Sequence, residues 1–163
     1  MTCRLPKIAA AIVALTLTTL PSTAQEVPGY PFDGMVQIQT EYDFDTLWDR
    51  TVQAIEDHDM LVLLRASASR GAAGRGIEIP ANGVIDTFRN DFAVRILAES
   101  VPAGFEQPIR FYLTANDAGT TDLTYRLPSA LYAPYGNAEV DAAAAELDAI
   151  FQSIAAQATG SGG

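Results

Sequence analysis

From Met35 onward the chain alternates, with Val36, Ile38, Thr40 and Tyr42 apolar or β-favouring and Gln37, Gln39 and Glu41 between them. A period of two is that of a strand with one face in a core, so residues 35–42 are predicted as the first strand. The period then lengthens. Phe44, Leu47, Trp48, Thr51, Val52 and Ile55 return at the spacing that lines up one stripe of a helix. Asp43 stands where a carboxylate can accept from the free amides of the first turn, and Asp45 and Asp49 suit the positive end of that helix. The helix is predicted to stop near Asp57. Residues 60–64 are wholly apolar and read as a short buried strand. Residues 66–76 are small and glycine-rich, which predicts a mobile connection or a short weak helix. Residues 83–88 read as a third strand. Residues 90–100 read as a short helix with Phe92, Ala93, Ile96 and Leu97 inward, ended by Pro102 and Gly104.

The next segment alternates twice around a turn. Ile109, Phe111 and Leu113 interleave with Arg110, Tyr112 and Thr114; after Asn116-Asp117-Ala118-Gly119, Leu123, Tyr125 and Leu127 interleave with Asp122, Thr124 and Arg126. Centring the turn on Ala118 pairs Ile109 with Leu127, Phe111 with Tyr125 and Leu113 with Leu123 on the core face. The other face then carries Tyr112 beside Thr124, Thr114 beside Asp122, and Arg110 opposite Arg126. Pro128 closes the hairpin, an irregular stretch is expected to Gly136, and Asn137 caps a last helix with Val140, Ala144, Leu147, Ile150 or Phe151, and Ile154 inward. Residues 159–163 read as a flexible tail. The order predicts an α+β two-layer sandwich with a mainly antiparallel sheet of about five strands. Its helix-free face must be solvated, occupied by a ligand or buried against another copy.

The N-terminus adds a location. Arg4 and Lys7 precede an apolar run over residues 8–20 that ends in Pro21-Ser22-Thr23-Ala24, the layout of an export signal cut before Gln25 and too short to span a membrane. A periplasmic or secreted protein is expected, with residues 25–34 as an extended leader and residues 35–158 as a single domain. The cut would remove Cys3 and Lys7, the only cysteine and the only lysine, so disulfides, thiolate metal sites and Schiff bases are excluded from the mature chain. Cys3 precedes the apolar run and so cannot carry a lipoprotein anchor. Without Arg4 and Lys7, the 10 basic residues fall to 8 against 20 acids, a formal balance of −12. Such a field repels nucleic acid and anionic lipid.

Candidate chemistry is sparse. Asp57-His58-Asp59 and Asp43-Phe44-Asp45 lack the ligand spacing of a calcium loop. His58, the sole histidine, sits at a helix end between two acids, where the dipole and the charges favour it structurally. No Gly-x-Ser-x-Gly elbow occurs, and the glycines of residues 66–76 match no phosphate-binding loop. No catalytic residue, metal ligand or cofactor is assigned, and the chain is read as a non-enzyme.

From Ser67 to Tyr135 the residues carry an ordered set: Ile77-Glu78-Ile79-Pro80, Phe88-Arg89-Asn90-Asp91, Glu106-Gln107-Pro108-Ile109-Arg110, Gly119, Tyr125, Pro128 and Tyr135-Gly136. In this the chain resembles the domain-of-unknown-function family number 302. The resemblance implies a TATA-box-binding-protein-like sandwich in β-α-β-β-β-β-α order, often dimeric, with no agreed activity. The chain departs from the family at Phe-Gly-Asn-Pro, where Arg89 and Asp91 replace the glycine and the proline and only Phe88 and Asn90 survive.

Two like charges directly opposed on a hairpin destabilise it by a few tenths to about 1 kcal/mol unless something anionic lies between them. For Arg110 and Arg126 that something is a carboxylate from Asp86, Glu41 or a partner subunit, or else a small bound anion held by the guanidinium forks. Arg110, Arg126, Tyr112 and Thr124 are therefore the predicted ligand-binding residues, with Asn90 added from the altered family motif. The expected function is an exported domain that binds a small ligand or a partner protein, a second copy included, through the helix-free face. The alternative is a periplasmic accessory to redox or sulfur-compound metabolism.

Overall fold

A hairpin whose two strands alternate cleanly builds the centre of the sheet, and everything else is arranged around it. The computed structural model describes residues 27–161, so the predicted export signal and its cut before Gln25 lie outside the described residues. Strands β1 (Met35–Gln39), β2 (Leu61–Ala66), β3 (Asn82–Phe88), β4 (Ile109–Ala115) and β5 (Thr121–Arg126) form one sheet in the order β1-β5-β4-β3-β2 with antiparallel neighbours throughout. Phe111 faces Tyr125, Tyr112 faces Thr124, Leu113 faces Leu123 and Thr114 faces Asp122, the register expected from the turn. Helices α1 (Phe44–Asp57), α3 (Asn90–Glu99) and α5 (Ala138–Thr159) contribute the apolar stripes that cover one face.

The caps follow the chemistry of the residues. Asp43 accepts from the Thr46 amide at 2.8 Å, and Asn137 accepts from Glu139 and Val140 at 3.0 and 3.1 Å. The core is aromatic at its middle: Phe111 stacks on Phe151 with centroids 4.8 Å apart, and both approach Tyr125. Gly83 lets α1 lie close to β3, because a Cβ there would collide with the Trp48 ring.

Several expectations are corrected. β1 ends at Gln39 rather than at Tyr42, because Thr40 turns inward and donates to Thr121 O at 2.6 Å. β2 is an edge strand and not a buried one: Met60 is buried, but Leu61, Leu63 and Leu64 are 56%, 55% and 48% exposed. Residues 66–76, by contrast, hold the short helix that was one of the two expectations there, α2 (Ala68–Ala73), capped by Ser67. Leu97 of α3 is 44% exposed instead of inward. β5 stops at Arg126, so Leu127 does not pair with Ile109; its amide donates to Gly34 O, and Pro128 opens the helix α4 (Pro128–Tyr132) where an irregular stretch was expected. Thr159 closes α5 and is not part of a tail.

Candidate functional site

Strand parity sorts the hairpin before any side chain is considered. Ile109, Phe111, Leu113, Leu123 and Tyr125 point into the core, so Arg110, Tyr112, Thr124 and Arg126 share the helix-free face. All four line one groove of about 750 Å³, a volume typical of small-molecule sites. Its walls come from outside the hairpin. Tyr30 and Phe32 of the leader and Leu131 of α4 stand on one side, and Phe105, Glu106 and Gln107, at and beyond the 3-10 turn Pro102–Glu106, stand on another.

The β4–β5 ladder begins at Phe111 and Tyr125, so Arg110 and Arg126, expected to oppose each other, lie just beyond it and have separate partners. Arg110 lies beside the Asp86 carboxylate on the neighbouring strand, with Nε 3.4 Å from Oδ1. Asp86 therefore pairs with Arg110 alone and does not bridge the two arginines, and Glu41 makes no ion pair among the described residues. Arg126 is held differently: Nε donates to Asp33 O at 2.9 Å, Nη2 donates to Ala130 O at 3.2 Å, and the guanidinium lies 5.3 Å from the Phe32 ring centre. The leader thus orients Arg126 and forms the wall beside it. Gly34 makes this docking feasible, since its φ of 73° suits glycine and a Cβ there would collide with Ala130.

Unspent hydrogen-bonding capacity collects here. Thr124 is 1% exposed, yet its Oγ1 has no hydrogen-bond partner, and Asp86 Oδ1 has none of hydrogen-bonding geometry. Buried polar atoms are nearly always satisfied, and the Thr124 hydroxyl beside the groove has no partner among the described residues. Neither terminal nitrogen of Arg110 makes a hydrogen bond among the described residues, and its side chain is 61% exposed. At the other end of the groove the Tyr135 hydroxyl donates to Glu106 Oε1 at 2.7 Å, and that bond raises the tyrosine pKa. Tyr132 is fully buried beside this pair, and burial pushes its phenol up to about 12.

Asn90 is not brought to the groove; it is the exposed first residue of α3. The residues that sequence reasoning missed are the walls: Tyr30, Phe32, Phe105, Glu106 and Leu131. Two signals were present. The leader carries two aromatics on either side of Pro31, an odd composition for a free linker, and Glu106 and Tyr135 both belong to the ordered family set. A second groove of about 720 Å³ lies between the start of α1 and Ile77–Ala81, where Arg70 pairs with Asp45 at 2.7 Å and stacks on Phe44 and Trp48. Among the described residues, no unpaired buried polar atom belongs to its lining.

The family model described as domain of unknown function DUF302 matches residues 36–158. The chain belongs to this family. A solved structure of an uncharacterized conserved DUF302 protein from Bacillus stearothermophilus is similar in fold, with a TM-score of 0.65 over 76% of this chain and 94% of that one at 16% identity. No curated protein matches significantly. Within the DUF302 frame, the altered Phe88-Arg89-Asn90-Asp91 segment is locally closed: Arg89 Nε donates to Asp91 Oδ1 at 2.9 Å, and its guanidinium covers the Phe92 ring at 4.4 Å. In this chain the groove, and not that motif, presents the candidate ligand-binding side chains.

Proposed function

We propose that this DUF302 protein is an exported binding domain whose open sheet face takes a small organic ligand bearing a carboxylate or another oxyanion. The observation that carries the reading is the buried Thr124 hydroxyl without a partner, set in a groove that also presents Arg110, Tyr112 and Arg126. Guanidinium donors grip an oxyanion in bidentate fashion, hydroxyls complete its shell, and the apolar walls bury the rest of the molecule. Export rests on the basic start and apolar run ahead of Pro21-Ser22-Thr23-Ala24. Intact mass of the protein from its own cell checks that part, with a chain starting at Gln25 expected and one still carrying Cys3 overturning it.

Calorimetric titration with monocarboxylates, phosphate and sulfate tests the groove. Replacing Arg110 by Gln should weaken binding about tenfold or more, since a hydrogen bond to a charged group contributes roughly 1.5–3 kcal/mol. Equal affinity in wild type and R110Q would remove the groove from the reading. A protein partner is the second reading, favoured by the exposed leucines of edge strand β2. Light scattering over rising concentration checks a second copy in that role, with a dimer expected and a monomer throughout ruling it out.

A further inference from the structure

We propose that the groove's ligand is a zwitterion with an apolar body, an amino acid or dipeptide type of compound whose carboxylate meets Arg110 and Arg126 and whose ammonium meets Glu106. The inference rests on the groove being a ligand site and narrows what it takes.

The charge layout carries it. Arg110 and Arg126 line the groove with one acid, Glu106, and the Asp86 carboxylate lies against Arg110. Two positive and two negative groups leave the site formally neutral inside a chain whose net charge is −10. A phosphate or a dicarboxylate entering it would meet a repulsive field without a surplus of cations to offset it. A dipolar ligand meets no such penalty.

Glu106 is also poised for this role. Its Oε1 accepts the Tyr135 hydroxyl, which fixes the carboxylate, while Oε2 has no hydrogen-bond partner among the described residues. An ionised carboxylate offers about four lone-pair directions, so one bond to a phenol leaves it able to accept an ammonium. Glu106 and Arg110 stand four positions apart in the chain, which places their Cα atoms no more than about 14 Å apart, and both side chains line the same groove. The apolar part of the ligand has a place as well. Phe32 and Phe105 line the groove while 59% and 88% exposed, and covering such rings is favourable in proportion to the area removed from water.

The test uses L-phenylalanine and glycyl-L-phenylalanine, each against its N-acetyl form, with wild type, E106Q, Y135F and R110Q. The free-amine compounds should bind wild type about tenfold or more tightly than the acetylated ones, the effect of one charge-assisted hydrogen bond. In E106Q that ratio should fall to about one while the acetylated compounds keep their affinity. In Y135F, which retains the carboxylate but loses its anchor, the ratio should fall partway. Acetylated and free forms binding wild type equally, with both weakened in R110Q, would overturn the zwitterion and leave the oxyanion reading intact. A ratio unchanged in both E106Q and Y135F would also overturn it. Binding of any of these compounds that is indifferent to R110Q would overturn the oxyanion reading as well.

Discussion

The two faces of the hairpin use the same strands in opposite ways. On the core face Phe111, Tyr125 and Phe151 interlock, and Leu113 faces Leu123, all of them buried by α1 and α5. On the open face, one residue out of step, Thr124 is equally buried yet its hydroxyl bonds to nothing, and Arg110 keeps donors free. On the core face of the hairpin, apolar packing determines the arrangement. The other face carries groups whose partners are incomplete within the chain. Parity along a single strand therefore divides side chains that pack the core from those that line the groove.

The comparison breaks most visibly at the ring stack. Phe111→Ala removes a fully buried ring between two others and should cost about 3–5 kcal/mol, measured by denaturant unfolding. A cost near that of a surface change would mean the core face is not what holds the sheet.

Buried phenols give the next effect. Burial, then the Asp148 charge, pushes Tyr125 up to about 12, and burial does the same for Tyr132. A phenol whose folded pKa is raised is held neutral by the fold, so its contribution is complete below the ordinary value of 10 and is lost as the pH climbs towards 12. At roughly 1.4 kcal/mol per pKa unit, the loss is about 2–3 kcal/mol for each phenol. Unfolding at stepped pH should show stability falling between 10 and 12, and Tyr132→Phe should flatten that fall. A flat profile in wild type would contradict it.

On the open face Arg126→Ala should cost about 1–3 kcal/mol, since Asp33 O and Ala130 O lose a charged donor and Phe32 loses its cover. Thermal melts check it. A stability gain would mean that repulsion from Arg110 outweighs those bonds.

The sharpest use of the comparison has the smallest effect. Thr124→Val keeps the shape and removes only the unpaired hydroxyl, so stability should stay level or rise by up to about 1 kcal/mol while ligand affinity falls. Melts and titrations on one sample separate the two. A marked loss of stability would show that the hydroxyl has a partner in the folded chain.

Much of this was legible in the residues. The alternation on either side of Asn116-Asp117-Ala118-Gly119 determines the register, because a slip by one residue would expose every core side chain of the strand. Asp43 and Asn137 announced their helices by offering short acceptors to free amides, and both do so. The apolar run at residues 60–64 misled because period-free hydrophobicity looks the same in a buried strand and at an edge. What separates them is neighbours: β2 pairs only with β3, so its outer side and much of its apolar surface stay open. Pro128 ends the run of β5 and also opens α4, because its fixed φ suits the first turn of a helix.

By itself, then, the sequence determined the strand and helix order, the hairpin register and which four side chains share the open face. Those follow from periodicity, turns and caps, which act between residues near in the chain. Tertiary structure alone decided that the leader folds back so that Asp33 O and Phe32 hold Arg126, that β3 brings Asp86 to Arg110, and that Glu106 joins the same groove through Tyr135. Each of these unites segments far apart in sequence, and a contact of that kind leaves no local period to read, because it forms only when the whole sheet has closed.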